Sequence, residues 1–222
     1  MRVFTLASVA ASLACLASPT AAQEQDFNIW LTQVASIEAE EDVTIRLEAQ
    51  ERFFEDASRL GQLLLRPAIG YQISEDVSVF AGYAYVFTNP EGPAESNEHR
   101  IFQELNLRII NLDDLTISSR NRLEQRFFEE VDGTGWRYRN QIQVRAPINQ
   151  NNSLIVYTEP FIELNDGGPQ SGGVALWRNF VGVSIPLSEQ FSLTPGYLNQ
   201  TVFRDGPDLS QHIVNVSVSA RF

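Results

Sequence analysis

The eight residues from 120 to 127, Arg-Asn-Arg-Leu-Glu-Gln-Arg-Phe, constrain the fold more than any other stretch of the sequence. Successive side chains of a β-strand point to opposite faces. Leu123 and Phe127 would therefore share one face of a strand here. The opposite face would carry a charged side chain at each of four positions: Arg120, Arg122, Glu124 and Arg126. A strand of this kind requires different surroundings on its two faces.

The segments on either side repeat the alternation. Their charged faces would carry Arg100, Glu104, Arg108, Arg137, Arg139 and Arg145. Their other faces would carry large apolar residues such as Ile101 and Trp136. If turns at 111–114 and 129–135 join three antiparallel strands, the simplest register sets Arg100 beside Glu124, Glu104 beside Arg120, and Glu124 beside Arg139. Opposite charges would then alternate across the sheet, which favours the pairing.

The first 22 residues are predicted to be a cleaved signal peptide. Arg2 supplies a positive charge, residues 3–16 form a short apolar segment, and Thr20-Ala21-Ala22 is a small-residue cleavage site. A lipoprotein anchored at Cys15 is an alternative, but the Ser-Leu-Ala before that cysteine is a poor lipidation motif. Cleavage after Ala22 would remove the only cysteine, so residues 23–222 would form one exported domain without disulfide bonds.

The composition excludes several classes of function. A net charge of -12 argues against a nucleic-acid partner, because nucleic acids are bound through basic surfaces. After the signal segment no run approaches about twenty apolar residues, so any membrane insertion must use strands. The basic residues are all arginine, which suits multidentate charge networks. The acidic clusters lack the ligand spacing of a calcium loop, and we expect neither a metal nor a cofactor.

Alternating segments of about ten residues continue through the rest of the chain. Ten can be counted from Val43 onward, and residues 28–37 would make an eleventh. Single-chain bacterial barrels avoid odd numbers, so this segment would lie in or beneath the lumen, or one more strand would bring the count to twelve. Short turns at 74–76, 110–114, 147–152 and 188–190 alternate with longer connections at 89–97, 129–135, 165–173 and 204–210. This pattern predicts an all-β fold, an antiparallel up-and-down transmembrane barrel of about ten to twelve strands with a charged lumen.

The aromatic residues support a membrane barrel. Phe127, Trp136 and Trp177 fall at the ends that meet the longer loops, and Phe191 and Phe222 at the opposite ends, as in the aromatic girdles of such barrels. The last strand is apolar on one face and ends on Phe222, which resembles the targeting signal read by the outer-membrane barrel-assembly machinery. We therefore expect outer-membrane lipid and that machinery as partners. The alternative is a soluble periplasmic barrel or sandwich with the aromatics inside.

With the strands placed, the chain resembles the bacterial family of domain of unknown function (DUF) 2490. Six features in order carry the resemblance: Trp30, Arg52, Gly82-Tyr83, Glu98-His99-Arg100, Arg120-x-Arg122-x-Glu124-x-Arg126 and Arg137-x-Arg139. They span nearly all of the chain after the signal segment. The resemblance implies an outer-membrane β-barrel and carries no established activity.

The charged face is the candidate site. Ten residues are predicted to form a lumen charge network: Arg100, Glu104, Arg120, Arg122, Glu124, Arg126, Arg137, Arg139, Glu159 and Glu163. They would either brace the barrel or, because arginine is in excess, line a small pore that prefers small anionic solutes. The alternative is an outer-membrane hydrolase at the extracellular rim using His99 or His212, but no serine–histidine spacing of a known barrel hydrolase is present, and we assign no catalytic residue.

Five polar residues do not fit a lipid-facing surface. Gln103, Ser119, Asn121, Gln125 and Asn140 would fall on the apolar side of the three central strands. Unpaired polar groups are costly against hydrocarbon. They would lie near the lipid headgroups or cover a protein partner or an oligomer contact.

Overall fold

A computed structural model describes residues 24–89 and 95–222, so the predicted signal peptide lies outside the described part of the chain. No helix in that part is long and apolar enough to cross a membrane. Its strands are β1 Glu24–Glu40, β2 Val43–Phe54, β3 Arg59–Ser74, β4 Val77–Thr88, β5 Ser96–Leu112, β6 Leu115–Phe128, β7 Val131–Pro147, β8 Ser153–Glu163, β9 Gly173–Pro186, β10 Phe191–Val202 and β11 Leu209–Arg221.

These eleven strands form one closed barrel, which confirms the predicted fold class. Each strand from β1 to β10 pairs antiparallel with the strand that follows it in the sequence. With an odd number of strands, the first and last run in the same direction, so the barrel closes through a parallel β1–β11 pair running from Glu24↔Leu209 to Ser36↔Arg221. The segment at 28–37 is therefore a strand of the wall and does not lie in or beneath the lumen.

The parallel seam can be tested by cross-linking. Leu31 and Val216 lie directly opposite each other across β1 and β11, and both belong to the outward-facing rows of their strands. Removal of the signal segment leaves no native cysteine, so the double variant Leu31→Cys/Val216→Cys should form one disulfide on mild oxidation, since adjacent strands fall within disulfide reach. The disulfide is detected by measuring the intact mass of the protein with and without reductant.

The matched control is Leu31→Cys/Val214→Cys, whose second cysteine is two residues out of register on the same face. It should cross-link poorly, because a two-residue offset adds roughly 7 Å along the strand. Equal cross-linking of both pairs, or of neither, would contradict the parallel register.

The barrel carries its apolar residues outside and its charges inside. Leu105 and Trp136 are 37% and 40% exposed, whereas Arg122 and Arg139 are 1% and 5% exposed. Exposed aromatic side chains lie near both ends of the strands: Phe27, Phe127, Trp136, Trp177, Phe203, Phe191 and Phe222. A soluble barrel or sandwich with these aromatics packed inside is therefore not what the chain forms.

The predicted register of the three central strands was wrong by two residues. Arg100 lies opposite Arg126 and Glu104 opposite Arg122. Glu124 lies opposite Arg137 and contacts Arg139 only diagonally. The cause is turn geometry, because the β5–β6 and β6–β7 connections are two-residue turns accompanied by bulges near Arg108 and Phe127. The connection at 129–135, predicted to be long, is two residues long, and β7 begins at Val131.

One side of the lumen is apolar, which the sequence pattern did not predict. Trp30, Ile155, Phe180, Leu198 and Ile213 form a buried cluster, with Tyr157 packed against it. The ring of Phe180 stacks on Tyr157 with 4.8 Å between centroids. Phe180 fits because Gly182 and Gly196 present no side chain there, and a Cβ on either would lie within 2.5 Å of the Phe180 ring. Packing of this kind fills the barrel as a core fills a globular domain.

The arginine-rich lumen as candidate functional site

Glu124 is the centre of the charge network. The Arg137 guanidinium donates to its Oε2 through Nε at 2.8 Å and Nη2 at 2.5 Å. Arg139 Nη1 donates to Oε1 at 3.0 Å, and Arg122 Nη1 lies 3.7 Å from the same oxygen. All four side chains are almost fully buried. One carboxylate thus compensates three guanidinium groups from β6 and β7.

Two further glutamates extend the network at mid-height. Glu104 accepts a bond from Arg46 Nη1 at 3.0 Å and bonds from Arg122 Nε, at 2.8 Å, and Nη2. Glu159 accepts bonds from Arg120 Nη2 at 2.9 Å and from Nε and Nη2 of Arg139 at 3.1 and 2.9 Å. Charge-assisted bonds of this kind are the strong class of hydrogen bond. Side chains from β2, β5, β6, β7 and β8 are joined across the lumen by them.

A third cluster lies nearer the long-loop end. The carboxylate of Glu98 accepts bidentate bonds from Arg100, at 2.7 and 2.6 Å, and from Arg126, at 2.5 and 3.2 Å. Arg126 also donates to Glu163 at 3.3 Å and to Gln170 at 3.1 Å. Gln170 lies in the 164–172 connection, so this cluster ties the loop to the lumen.

Aromatic rings lie beneath several of the guanidinium groups. The Cζ atom of Arg122 is 4.5 Å from the centroid of the Phe102 ring. Phe161 lies under three others, 4.1 Å from Arg139, 4.5 Å from Arg178 and 5.3 Å from Arg137. Planar guanidinium groups stack well on such faces, which lowers the cost of burying them.

The lumen holds a cavity of about 280 Å³ at its long-loop end. Its charged lining consists of Arg52, Arg66, Glu98, Arg100, Arg126, Arg137, Arg139 and Arg178. Thr88, Ser96 and Phe128, at strand ends, also line it, so the cavity reaches the long-loop rim. Seven arginines against one glutamate make this a site for negatively charged groups.

Below this cavity the lumen is filled. A layer of inward side chains on different strands is no more than about 4% exposed: Leu64, Phe102, Arg122, Glu124, Phe161, Phe180, Leu198 and Ile213. Water has almost no access to these side chains. Within the described strands, the structure is therefore a barrel closed at mid-height with an arginine-lined cavity above the closure.

The structure places all ten sequence-predicted network residues on the inner face, and each contacts at least one charged partner there. Sequence reasoning did not include six further members of the site: Arg46, Glu48, Arg52, Arg66, Glu98 and Arg178. The same alternation could have found them, because each lies at an inward position of β2, β3, β5 or β9. We give the name lumen network to ten arginines and six glutamates: Arg46, Arg52, Arg66, Arg100, Arg120, Arg122, Arg126, Arg137, Arg139, Arg178, Glu48, Glu98, Glu104, Glu124, Glu159 and Glu163.

Comparison with known sequences places this architecture in a family. Residues 27–211 match the family described as protein of unknown function (DUF2490). The chain belongs to this family. An uncharacterized protein of Methylorubrum extorquens is 31% identical over 206 residues, which cover 89% of each of the two proteins. The predicted family membership is thus confirmed, and the family carries no activity to transfer.

Comparison with solved structures supports the fold independently. The structure of a NanC porin superposes with a TM-score of 0.54 and 14% identity, covering 84% of this chain and 90% of the porin. At this identity the similarity concerns the fold alone. The DUF2490 chain therefore has a porin-like β-barrel fold.

The two histidines lie outside the lumen. His99 Nδ1 contacts the Tyr83 hydroxyl at 2.5 Å, and its Nε2 contacts Glu129 at 3.1 Å. Glu129 lies in the β6–β7 turn and also accepts a hydrogen bond from the Asn97 amide at 2.8 Å. The hydrogen bonds from His99 and Asn97 hold the pKa of Glu129 below its usual value. His212 contacts the Tyr197 hydroxyl at 2.6 Å. In the described part of the chain neither ring contacts a serine, so the geometry gives no support to the rim hydrolase.

The outward polar residues lie at mid-strand and satisfy one another. The amides of Gln103 and Gln125 exchange hydrogen bonds at 3.2 and 3.0 Å. The Asn140 amide donates to Asn121 at 2.8 Å and to Ser119 at 3.0 Å. Asn121 and Asn140 face each other near the middle of β6 and β7, far from both strand ends. Their mutual bonds reduce the cost of facing an apolar medium, and a position at the headgroups is not needed to explain them.

Proposed function

We propose that this protein is an outer-membrane β-barrel that passes small anions through its lumen when the closed layer at mid-height rearranges. The observation that carries the proposal is the charge of the lumen network, in which ten arginines face six glutamates. Asp26, at the start of β1, adds one more carboxylate near the long-loop rim. Charged side chains that line a lumen select permeant ions of the opposite sign.

The outer surface supports a location in lipid. Large apolar side chains on the outer face are 36% or more exposed on most strands, and water would be a poor solvent for such a surface. Aromatic residues near both ends correspond to the girdles that membrane barrels place at the headgroups. Export through the signal segment and assembly through the last strand and Phe222 complete the proposal.

The charged members of the closed layer, Arg122 and Glu124, belong to ion pairs whose groups can exchange partners. Arg122 contacts both Glu104 and Glu124, and Arg139 contacts both Glu124 and Glu159. A guanidinium group can move from one of these carboxylates to the next with little change in hydrogen bonding. Rare openings by such exchanges would give small conductance events.

The test is conductance in planar bilayers. Purified protein is inserted into a bilayer with a tenfold KCl gradient across it. The current should show discrete steps, with a reversal potential of the sign expected for chloride selectivity. Insertion is checked by fractionation with outer membranes and by a shift in gel migration after boiling. Featureless traces from protein that passes both checks would overturn the conduction proposal.

A second candidate is a purely structural barrel. The layer of nearly inaccessible side chains at mid-height favours it, because a lumen held shut by buried ion pairs and aromatic rings resembles a core more than a channel. The same bilayer experiment separates the two functions, since a structural barrel inserts without conducting.

A further inference from the structure

We infer that Arg52 and Arg178, at the ring of Trp30, form a binding site for the carboxylate or phosphate group of a small organic anion. The inference deepens the proposed function by naming the chemistry that the lumen recognises. It concerns the cavity of about 280 Å³ at the long-loop end, which both arginines line.

These two arginines differ from the rest of the lumen network. Eight of its ten arginines have a carboxylate oxygen within 4.0 Å: Arg46, Arg66, Arg100, Arg120, Arg122, Arg126, Arg137 and Arg139. Within the described residues, no ion pair joins Arg52 or Arg178 to a carboxylate. A cation enclosed in protein normally has a compensating anion. Glu159 lies opposite Arg178 across β8 and β9, but its hydrogen bonds come from Arg120 and Arg139. Two neighbouring cations that form no ion pair, beside a cavity, therefore indicate a place for an external anion.

Neutral glutamines hold the two guanidinium groups in position. Arg52 donates through Nε to Gln50 at 2.7 Å and through Nη1 to Gln62 at 2.6 Å. Arg178 donates through Nε to Gln200 at 2.7 Å. Glutamine oxygens orient a guanidinium group without cancelling its charge. Nη2 of Arg52 and both Nη atoms of Arg178 donate to no described residue and remain available to a ligand.

A single tryptophan brings the pair together. The Cζ atoms of Arg52 and Arg178 lie 3.9 and 4.9 Å from the centroid of the Trp30 ring. The arginines come from β2 and β9, whereas Trp30 comes from β1 and is buried. The ring stabilises both cations without neutralising them. Trp30 thus belongs to the apolar cluster and also contacts both arginines.

The remaining lining defines the ligand class. A guanidinium fork matches the two oxygens of a carboxylate or a phosphate, and five more arginines surround the cavity. Phe161 and Leu176 supply an apolar wall. At about 280 Å³ the cavity lies close to the lower end of the roughly 300–1,000 Å³ that small-molecule pockets span. The ligand is therefore a small organic acid or phosphate and not a polymer.

Binding can be read from Trp30 itself. The chain has three tryptophans, and Trp136→Phe/Trp177→Phe leaves Trp30 as the only one in a protein that keeps aromatic rings on its outer surface. Citrate and inorganic phosphate are titrated into this protein in neutral detergent at constant ionic strength, with glucose as the uncharged comparison. We expect a saturable change in Trp30 fluorescence with at least one anion and none with glucose.

Two substitutions locate the site. In the same background, Arg52→Gln and Arg178→Gln should each weaken binding at least tenfold, and Arg52→Lys should weaken it less, because the charge remains while the fork is lost. The control is Arg145→Gln, which removes the same charge from an inward position near the short-turn end of β7. Gel migration before and after boiling shows which variants are folded.

The outcomes are decisive. No saturable response to either anion, or an equal loss in Arg145→Gln, would overturn the site. A response to citrate alone identifies a carboxylate site, and a response to phosphate alone identifies a phosphate site. Binding without conductance in bilayers would support the anion site and overturn the proposed pore. Conductance without binding would support the pore and overturn the site.

Discussion

Replacing Glu124 by glutamine should destabilise the folded barrel by about 3–5 kcal/mol, the cost of breaking a buried ion pair from one side. The carboxylate of Glu124 accepts bonds from Arg137 and Arg139 and lies close to Arg122. Glutamine has nearly the same shape, so the change leaves three buried guanidinium groups with one fewer negative charge. The measurement is the urea dependence of the folded fraction in detergent micelles, read as the compact form on unboiled gels.

Glu189→Gln is the matched control, because Glu189 lies exposed in the turn between β9 and β10. It should change stability by no more than about 0.5 kcal/mol. Adding Arg137→Gln to Glu124→Gln should recover part of the loss, since one unpaired cation is then removed. A Glu124→Gln barrel as stable as the native protein would show that the lumen network contributes little to the fold.

Arg52→Glu combined with Arg178→Glu should abolish the anion preference of any conductance. The substitutions change the lumen network from ten arginines and six glutamates to eight of each. Neither native arginine has a carboxylate partner among the described residues, so no existing ion pair is broken, although a new glutamate must find a partner among the neighbouring arginines. The reversal potential in a tenfold KCl gradient should move from the chloride side to about zero.

Arg204→Glu provides the control, because Arg204 lies exposed in the connection between β10 and β11, beyond the strands that enclose the lumen. It makes one charge reversal of the same kind near the same rim and should leave the sign of the reversal potential unchanged. An unaltered chloride preference in the double variant would place the selecting charges elsewhere.

Alternation along the strands was sufficient to predict which face of each central strand is enclosed. Arg122 and Glu124 are buried and Leu105 is outward, as the period of two requires. It could not set the register, because shifting a pairing by two residues keeps every side chain on its own face. The actual pairs, such as Glu104 with Arg122, depend on two-residue turns and bulges that leave no clear mark on the hydrophobic pattern.

The odd strand count escaped prediction for a related reason. Residues 28–37 show an alternation too weak to separate a wall strand from a segment inside the lumen. The partner of β1 lies at the far end of the chain, and Trp30 pairs with Asn215 there. No short turn joins two parallel strands that are so far apart in the sequence, so no local sequence signal indicates that they pair. The apolar cluster around Phe180 was also missed, because it assembles from one or two inward side chains on each of five neighbouring strands, one of which is β1.

By itself, the sequence determined the class of the fold: an all-β chain with arginine and glutamate on one face of its strands and apolar residues on the other. This follows from short-range periodicity, which each strand carries on its own. Only the tertiary structure decided that eleven strands close through a parallel seam, that the lumen is filled at mid-height, and that Arg52 and Arg178 form no ion pair with a described residue. These properties arise from side chains of distant strands meeting in one enclosed volume, where charge balance and packing depend on all of them at once.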